Sequence, residues 1–234
     1  MPPCAELRQA AGPGHMGGMR LAILLSLVAL RVWAAPPATP GAVCESAIAA
    51  AERAAGTAPG LLGAIGLVES GRRDPRTGQR RPWPWTVTAE GVGTYYASKA
   101  EAIAAVQALQ TRGVTSIDVG CMQVNLQYHP SAFRSLDEAF EPGPNSAYAA
   151  RFLNSLFARL RDWPAAAAAY HSLTPAPNAA YAKLIAAVWS GAPVPVMQGL
   201  NGQEVVVFPG GGEMRIFREA SAAGGRGRVV GFLN

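Results

Sequence analysis

The sequence predicts a mainly α domain carrying one small inserted β-hairpin. Three observations lead there. Apolar residues recur at helical spacing in several segments, most clearly over residues 145–161. There Tyr148, Phe152, Leu156 and Leu160 fall at i, i+4, i+8 and i+12, with Leu153 and Phe157 beside them. Two Ser-x-x-Glu boxes, Ser98 with Glu101 and Ser135 with Glu138, mark helix starts. Strand composition gathers in one place: WPWTVT at 83–88, a turn at 89–93, and a second short run at 94–96.

Composition narrows the class. Of 234 residues, 50% are hydrophobic and 15% charged, which describes a folded domain rather than a disordered chain. The formal charge is +5, but Lys99 and Lys183 are the only lysines and the arginines are scattered. No basic run is interleaved with aromatics, so nucleic acid is not the expected partner. The charge is compatible with an anionic polymer such as a cell wall.

Residues 19–35 read as a cleavable signal peptide. Arg20 supplies the positive end, 21–30 is apolar except for Ser26, and Val32 and Ala34 fit the small-residue cleavage pattern. The run is about half of the ~20 residues a membrane span needs, and Arg31 interrupts it. Either Met16 or Met19 could be the true start; cleavage is expected near Ala34 or Ala35, so that residues 1–35 are absent from the mature chain and the product is periplasmic or secreted. Cys44 lacks the preceding small residue of a lipoprotein signal, so no lipid anchor is expected. With Cys4 removed, Cys44 and Cys121 remain, an even pair in an exported chain. A disulfide between them ranks ahead of two buried thiols. No cysteine or histidine spacing suggests a metal, and no cofactor is called for.

The elements then follow in order. Residues 36–41 are a Pro/Ala linker, and 43–55 an Ala-rich helix with Ile48 inward. Residues 58–71 (APGLLGAIGLVESG) form a short apolar helix, with Pro59 in its first turn and Gly71 as a left-handed cap. The hairpin comes next, and its aromatics (Trp83, Trp85, Tyr95, Tyr96) either line a sugar groove or pack the hairpin onto the domain. Helices are expected at 98–112, from Ser135 to the residue before Pro142, and at 145–161, 164–171 and 178–189. From Pro193 the chain turns glycine-rich. Residues 205–208 and 214–217 have strand character, but a mobile tail at 193–234, outside a domain of 36–192, is the preferred reading.

Glu69 is the first candidate for chemistry. It lies in the last turn of the apolar helix, beside the stripe formed by Leu61, Leu62, Ile65 and Val68. Burial and the negative end of the helix dipole both disfavour a carboxylate there, which suits a proton donor. A solvated surface glutamate is the competing reading. The second candidate stretch is 116–129 (SIDVGCMQVNLQYH), read as a polar turn with Gly120 at a close approach, then a short helix. Its Gln123 and Asn125 sit among apolar neighbours and need partners, either local backbone or the hydroxyl and N-acetyl groups of a sugar.

An apolar helix ending in Glu69-Ser70, a downstream Gly-x-Met-Gln-x-Asn, and Ala169-Tyr170-His171 ahead of Tyr181-Ala182-Lys183 occur in that order. Together they resemble the soluble lytic transglycosylases of the lysozyme-like superfamily, over residues 43–189. The resemblance implies a lysozyme-like helical domain acting on peptidoglycan glycan strands. It implies Glu69 as catalytic acid, and Ser70, Met122, Gln123, Asn125, Tyr170 and His171 as the substrate site. Cys121 stands where the family usually has leucine and His171 where it has asparagine. The gap from Glu69 to Gly120 is also longer than usual.

The reaction so implied needs one carboxylate. Glu69 protonates the oxygen between N-acetylmuramic acid and N-acetylglucosamine, then takes the proton of the sugar's own 6-hydroxyl as it closes on C1. The product is a 1,6-anhydro sugar. Asp118 is the acid nearest the second motif, and a turn-capping role is preferred for it. Two other functions remain in view: a muramidase on the same fold that uses water, and a non-catalytic wall-binding or assembly protein.

Overall fold

A computed structural model describes residues 38–74, 77–171, 175–209 and 214–221. The signal-peptide reading of residues 1–35 therefore falls outside the described residues. Seven helices occur among them: α1 (Pro40–Ala55), α2 (Leu61–Ser70), α3 (Lys99–Thr111), α4 (Leu136–Ala139), α5 (Pro142–Leu160), α6 (Trp163–His171) and α7 (Pro175–Trp189). Strands β1 (Gly71–Arg73) and β2 (Arg80–Pro82) form a two-stranded ribbon. The others are β3 (Thr86–Ala89), β4 (Val92–Tyr95), β5 (Ile117–Val119), β6 (Val124–Asn125), β7 (Val196–Gln198), β8 (Glu204–Val207) and β9 (Met214–Glu219). They make a second sheet in the order β6-β5-β3-β4-β9-β8-β7.

Sequence dictates most helix ends. Thr39 caps α1 by accepting from Ala42 N at 3.3 Å, and Gly56 closes it in the left-handed region. Both Ser-x-x-Glu boxes form. Ser98 Oγ accepts from Glu101 N, and Ser135 Oγ from Glu138 N, each at 3.2 Å. Helix α2 departs from expectation at both ends. Pro59 stays outside it, and Gly60 takes the N-cap position at φ +80°. The exposed N–H groups are capped from α1 instead. Glu52 accepts from Gly60 N at 2.7 Å and Leu62 N at 2.9 Å, placing negative charge at the positive end of α2. Gly71 is not left-handed: at φ −59°, ψ 124° it leads straight into β1. Glycine is needed there because a Cβ would collide with the Leu67 carbonyl.

One core joins α1, α2, α5, α6 and α7, with Leu61, Leu62, Ile65, Val68, Leu153 and Leu156 fully buried. Each such aliphatic side chain contributes about 1.5–3 kcal/mol by leaving water. A smaller core packs α3 on the sheet through Val87, Ala102, Val106, Ile117 and Val119. Cys44 and Cys121 are joined in a disulfide that ties α1 to the turn after β5 across 77 residues. The chain-entropy account gives a loop of that size about 4 kcal/mol.

Three segments correct the sequence reading. The stretch after Ser116 is not a turn and helix but β5, a four-residue turn and β6, because β5 zips onto β3 with Val87 opposite Val119. The expected hairpin exists as β3 and β4, antiparallel across Glu90–Gly91, but it is the middle of a seven-stranded sheet. The segment read as a tail outside the domain supplies three of those strands. β9 runs parallel to β4, with Val92 opposite Ile216 and Tyr95 opposite Glu219. It stays there because Phe217 is buried in stacking contact with Tyr95, 5.3 Å between centroids, and because Arg72 pairs with Glu219 and Arg80 with Glu204. Residues 222–234 lie outside the described residues.

Candidate active site

The C-terminal end of α2, the turn between β5 and β6, the end of α6 and the start of β9 meet around a cleft of about 200 Å³. Glu69 forms its floor and is 2% exposed. Its Oε1 accepts from the Tyr181 hydroxyl of α7 at 2.7 Å. Its Oε2 accepts from Arg215 Nη1 of β9 in a buried ion pair. Arg215 Nη2 also bonds His171 Nδ1 at 2.8 Å, and the His171 ring lies flat against Tyr181, 4.5 Å between centroids. Burial above all, with the Glu69 charge beside it, pushes the Tyr181 phenol well above its ordinary range, so it stays a donor.

The β5–β6 turn supplies the facing wall. Gly120 adopts φ +83°, and a Cβ on it would overlap the side-chain amide of Asn145, so only glycine fits. Buried Asn145 then locks the turn, accepting from Met122 N at 2.9 Å and donating to Val119 O at 3.0 Å. Asp118 on β5 faces the cleft and accepts from Asn125 Nδ2 at 2.8 Å. Burial pushes its carboxyl up to about 6. The Arg215 cation and the Asn125 amide pull the other way, and the Glu69 charge adds to the rise.

The predicted site residues divide. Glu69, Gln123, Asn125, Tyr170 and His171 all line the cleft. Ser70 and Met122 do not, and their assignment as substrate contacts is corrected. Ser70 is fully buried and donates to Cys121 O at 2.6 Å, fastening α2 to the turn. Met122 is also fully buried, and its side chain belongs to the core. Gln123 reaches the cleft wall with its amide already used: Nε2 donates to Thr86 O and Gly120 O, and Oε1 accepts from Thr88 Oγ1 at 2.5 Å. Tyr170 donates to Met122 O at 2.8 Å.

The hairpin aromatics take the packing role. Trp83 sits edge-on to Trp85 and under Arg72, while the Tyr95 hydroxyl bonds Gly71 O. The aromatic lining comes instead from Tyr128, Tyr148, Phe152 and Tyr170. Tyr128 is 73% exposed at the rim. Sequence reasoning missed Arg215 and the Tyr181–Glu69 bond, and it undervalued Asp118. The alternation of Arg215, Phe217 and Glu219 on one face of β9 was the available signal.

These features define a lysozyme-like helical domain with its cleft acid at a helix end. Residues 46–179 match the family model described as the transglycosylase SLT domain, more than half of the 234 residues, and the chain belongs to that family of peptidoglycan-cleaving transglycosylases. No characterised protein sequence and no solved structure matches the chain. Glu69, Asp118, Tyr170 and His171 lie within the matched span, whereas Tyr181 and Arg215 lie beyond it. No described helix is long and apolar enough to cross a membrane.

Proposed function

We propose that this protein is an exported lytic transglycosylase that cleaves the β-1,4 bond between N-acetylmuramic acid and N-acetylglucosamine in peptidoglycan. Glu69 acts first as acid and then as base. The observation that carries this reading is Glu69 itself: a carboxyl at the floor of an aromatic-lined cleft, oriented by the Tyr181 hydroxyl, within the family's matched span. In the neutral form Glu69 gives its proton to the glycosidic oxygen, and the C1–O bond breaks. The muramyl N-acetyl carbonyl supports the positive charge at C1. Glu69, now ionised, takes the proton of the muramyl 6-hydroxyl as that oxygen bonds to C1. Atoms balance without water, and holding the hydroxyl within its own sugar supplies an effective-molarity gain.

Tyr128, Tyr148 and Phe152 offer ring faces to the sugars, and Asn125 a polar edge. Export rests on residues 19–35 and accords with the Cys44–Cys121 disulfide, a bond typical of oxidising compartments.

A second reading is favoured by one specific observation, Asp118 in the same cleft. Two carboxyl groups across a scissile bond are the equipment of a hydrolase, with water as the acceptor. Mass spectrometry of products from purified peptidoglycan separates the two. Anhydromuropeptides from the mature protein, and none from Glu69→Gln, are the expected result. Hydrated products move the reaction to hydrolysis. Binding without turnover leaves a wall-binding or assembly protein.

A further inference from the structure

The resting cleft holds a contradiction with the first step of that reaction. Glu69 has to be neutral to donate a proton, yet both of its oxygens receive hydrogen-bond donors. Tyr181 can turn its hydroxyl and accept. Arg215 has no acceptor to offer, so a proton on Oε2 would meet an N–H head-on. The guanidinium is itself well buried, its side chain 17% exposed, and it takes up room in a cleft smaller than most ligand sites.

We propose that Arg215 is a positioning residue that occupies Glu69 Oε2 in the resting protein and must be drawn off before that oxygen can deliver a proton to the substrate. This rests on the reading of Glu69 as acid and base. Arg215 comes from β9, beyond the family's matched span, so it is an addition made by this chain's C-terminal strands. The strand itself does not leave. Phe217 and Val206 are buried, and Glu219 and Glu204 are paired with Arg72 and Arg80. The movement is a side-chain swing of Arg215 away from Glu69. Second-half chemistry gains as well, since an unpaired carboxylate is the better base for the 6-hydroxyl.

Among the described residues, the charged and titratable groups around Glu69 are Tyr181 of α7, Tyr170 and His171 of α6, Asp118 of β5 and Arg215 of β9. Arg215 is the one permanent cation among them.

The test compares wild type, Arg215→Met and Arg215→Lys. Methionine keeps an apolar stem without the charge, and lysine keeps the charge without the fork. The first readout is the pH titration of the Glu69 carboxyl carbon in protein made with 13C-glutamate, assigned by its loss in Glu69→Gln. In Arg215→Met that signal is expected to titrate at least about one pH unit higher than in wild type, with Arg215→Lys returning most of the shift. The second readout is the pH profile of anhydromuropeptide release. Its basic limb is expected to extend upward in Arg215→Met by a matching interval, as a change in kcat more than in KM. Unchanged titration in Arg215→Met overturns the proposal. So does activity lowered equally at every pH, the pattern of a purely structural arginine. If wild type releases nothing from peptidoglycan, the proposed function fails on that result, while the carboxyl titration still decides for or against Arg215.

Discussion

Glu69 ends a helix and Asp118 sits within a strand, yet both line one cleft. Their surroundings differ. Glu69 is the more deeply buried, but it is met by a guanidinium and a phenol hydroxyl. Asp118 receives one amide, from Asn125, and burial dominates, so its carboxyl is pushed up to about 6. The donors that reach Glu69 come from distant parts of the chain: 112 residues away for Tyr181 and 146 for Arg215. Asp118 has the raised carboxyl, and Glu69 has the place at the cleft floor.

Neutralising each carboxyl in turn tests that contrast most strongly. Glu69→Gln is expected to lower product release by about 10³-fold or more, the upper range for loss of a general acid and base. It also leaves Arg215 buried without its counter-charge, so thermal denaturation should reveal a loss of about 3 kcal/mol. Asp118→Asn is expected to keep transglycosylation within about tenfold of wild type, because the reaction needs one carboxyl and the asparagine can still accept from Asn125. A loss as deep as that of Glu69→Gln would make Asp118 a partner in the chemistry and favour hydrolysis. Tyr181→Phe removes one donor from Glu69 and keeps the ring against His171. It should cost about tenfold in kcat, the equivalent of one charged hydrogen bond, with little change in KM. An unchanged kcat would show that the Tyr181 hydroxyl only satisfies a buried group.

Much of the helical frame was legible because its signals are local. The Tyr148–Leu160 stripe and the Ser98 and Ser135 boxes each depend on residues near one another in sequence. The motif elements around Glu69 and Tyr170 were legible by their order and resemblance. What escaped is what pairing creates. Residues 117–119 and 196–198 are too short to declare themselves as strands, and they become strands by docking on β3 and β8. The C-terminal strands reach β4 across more than a hundred residues, so their glycine-rich flanks outweighed their alternation. Ser70 and Met122 show the limit of a motif. Both stand in the right place in the sequence, and both turn inward, to hold the backbone that carries the residues which face the cleft.

The finest test of the contrast is the pH dependence of stability, where the raised Asp118 carboxyl should leave a signature. An aspartate that titrates near 4 unfolded and at about 6 folded binds more protons in the folded state between those values. Stability from this group is therefore fully present below pH 4, falls as pH rises through 4 to 6, and stays lowered above. Asparagine does not titrate, so Asp118→Asn should match wild type near pH 4 and exceed it at pH 8. The shift sets a ceiling of about 3 kcal/mol, and partial exposure of Asp118 reduces the expected gain to about 1 kcal/mol. Urea denaturation of both proteins at pH 4, 6 and 8 would measure it. A gain at pH 8 that vanishes at pH 4 places the cost on the Asp118 charge. A gain equal at all three values assigns it to packing, and the opposition between the two carboxyls would then rest on Glu69 and Arg215 alone.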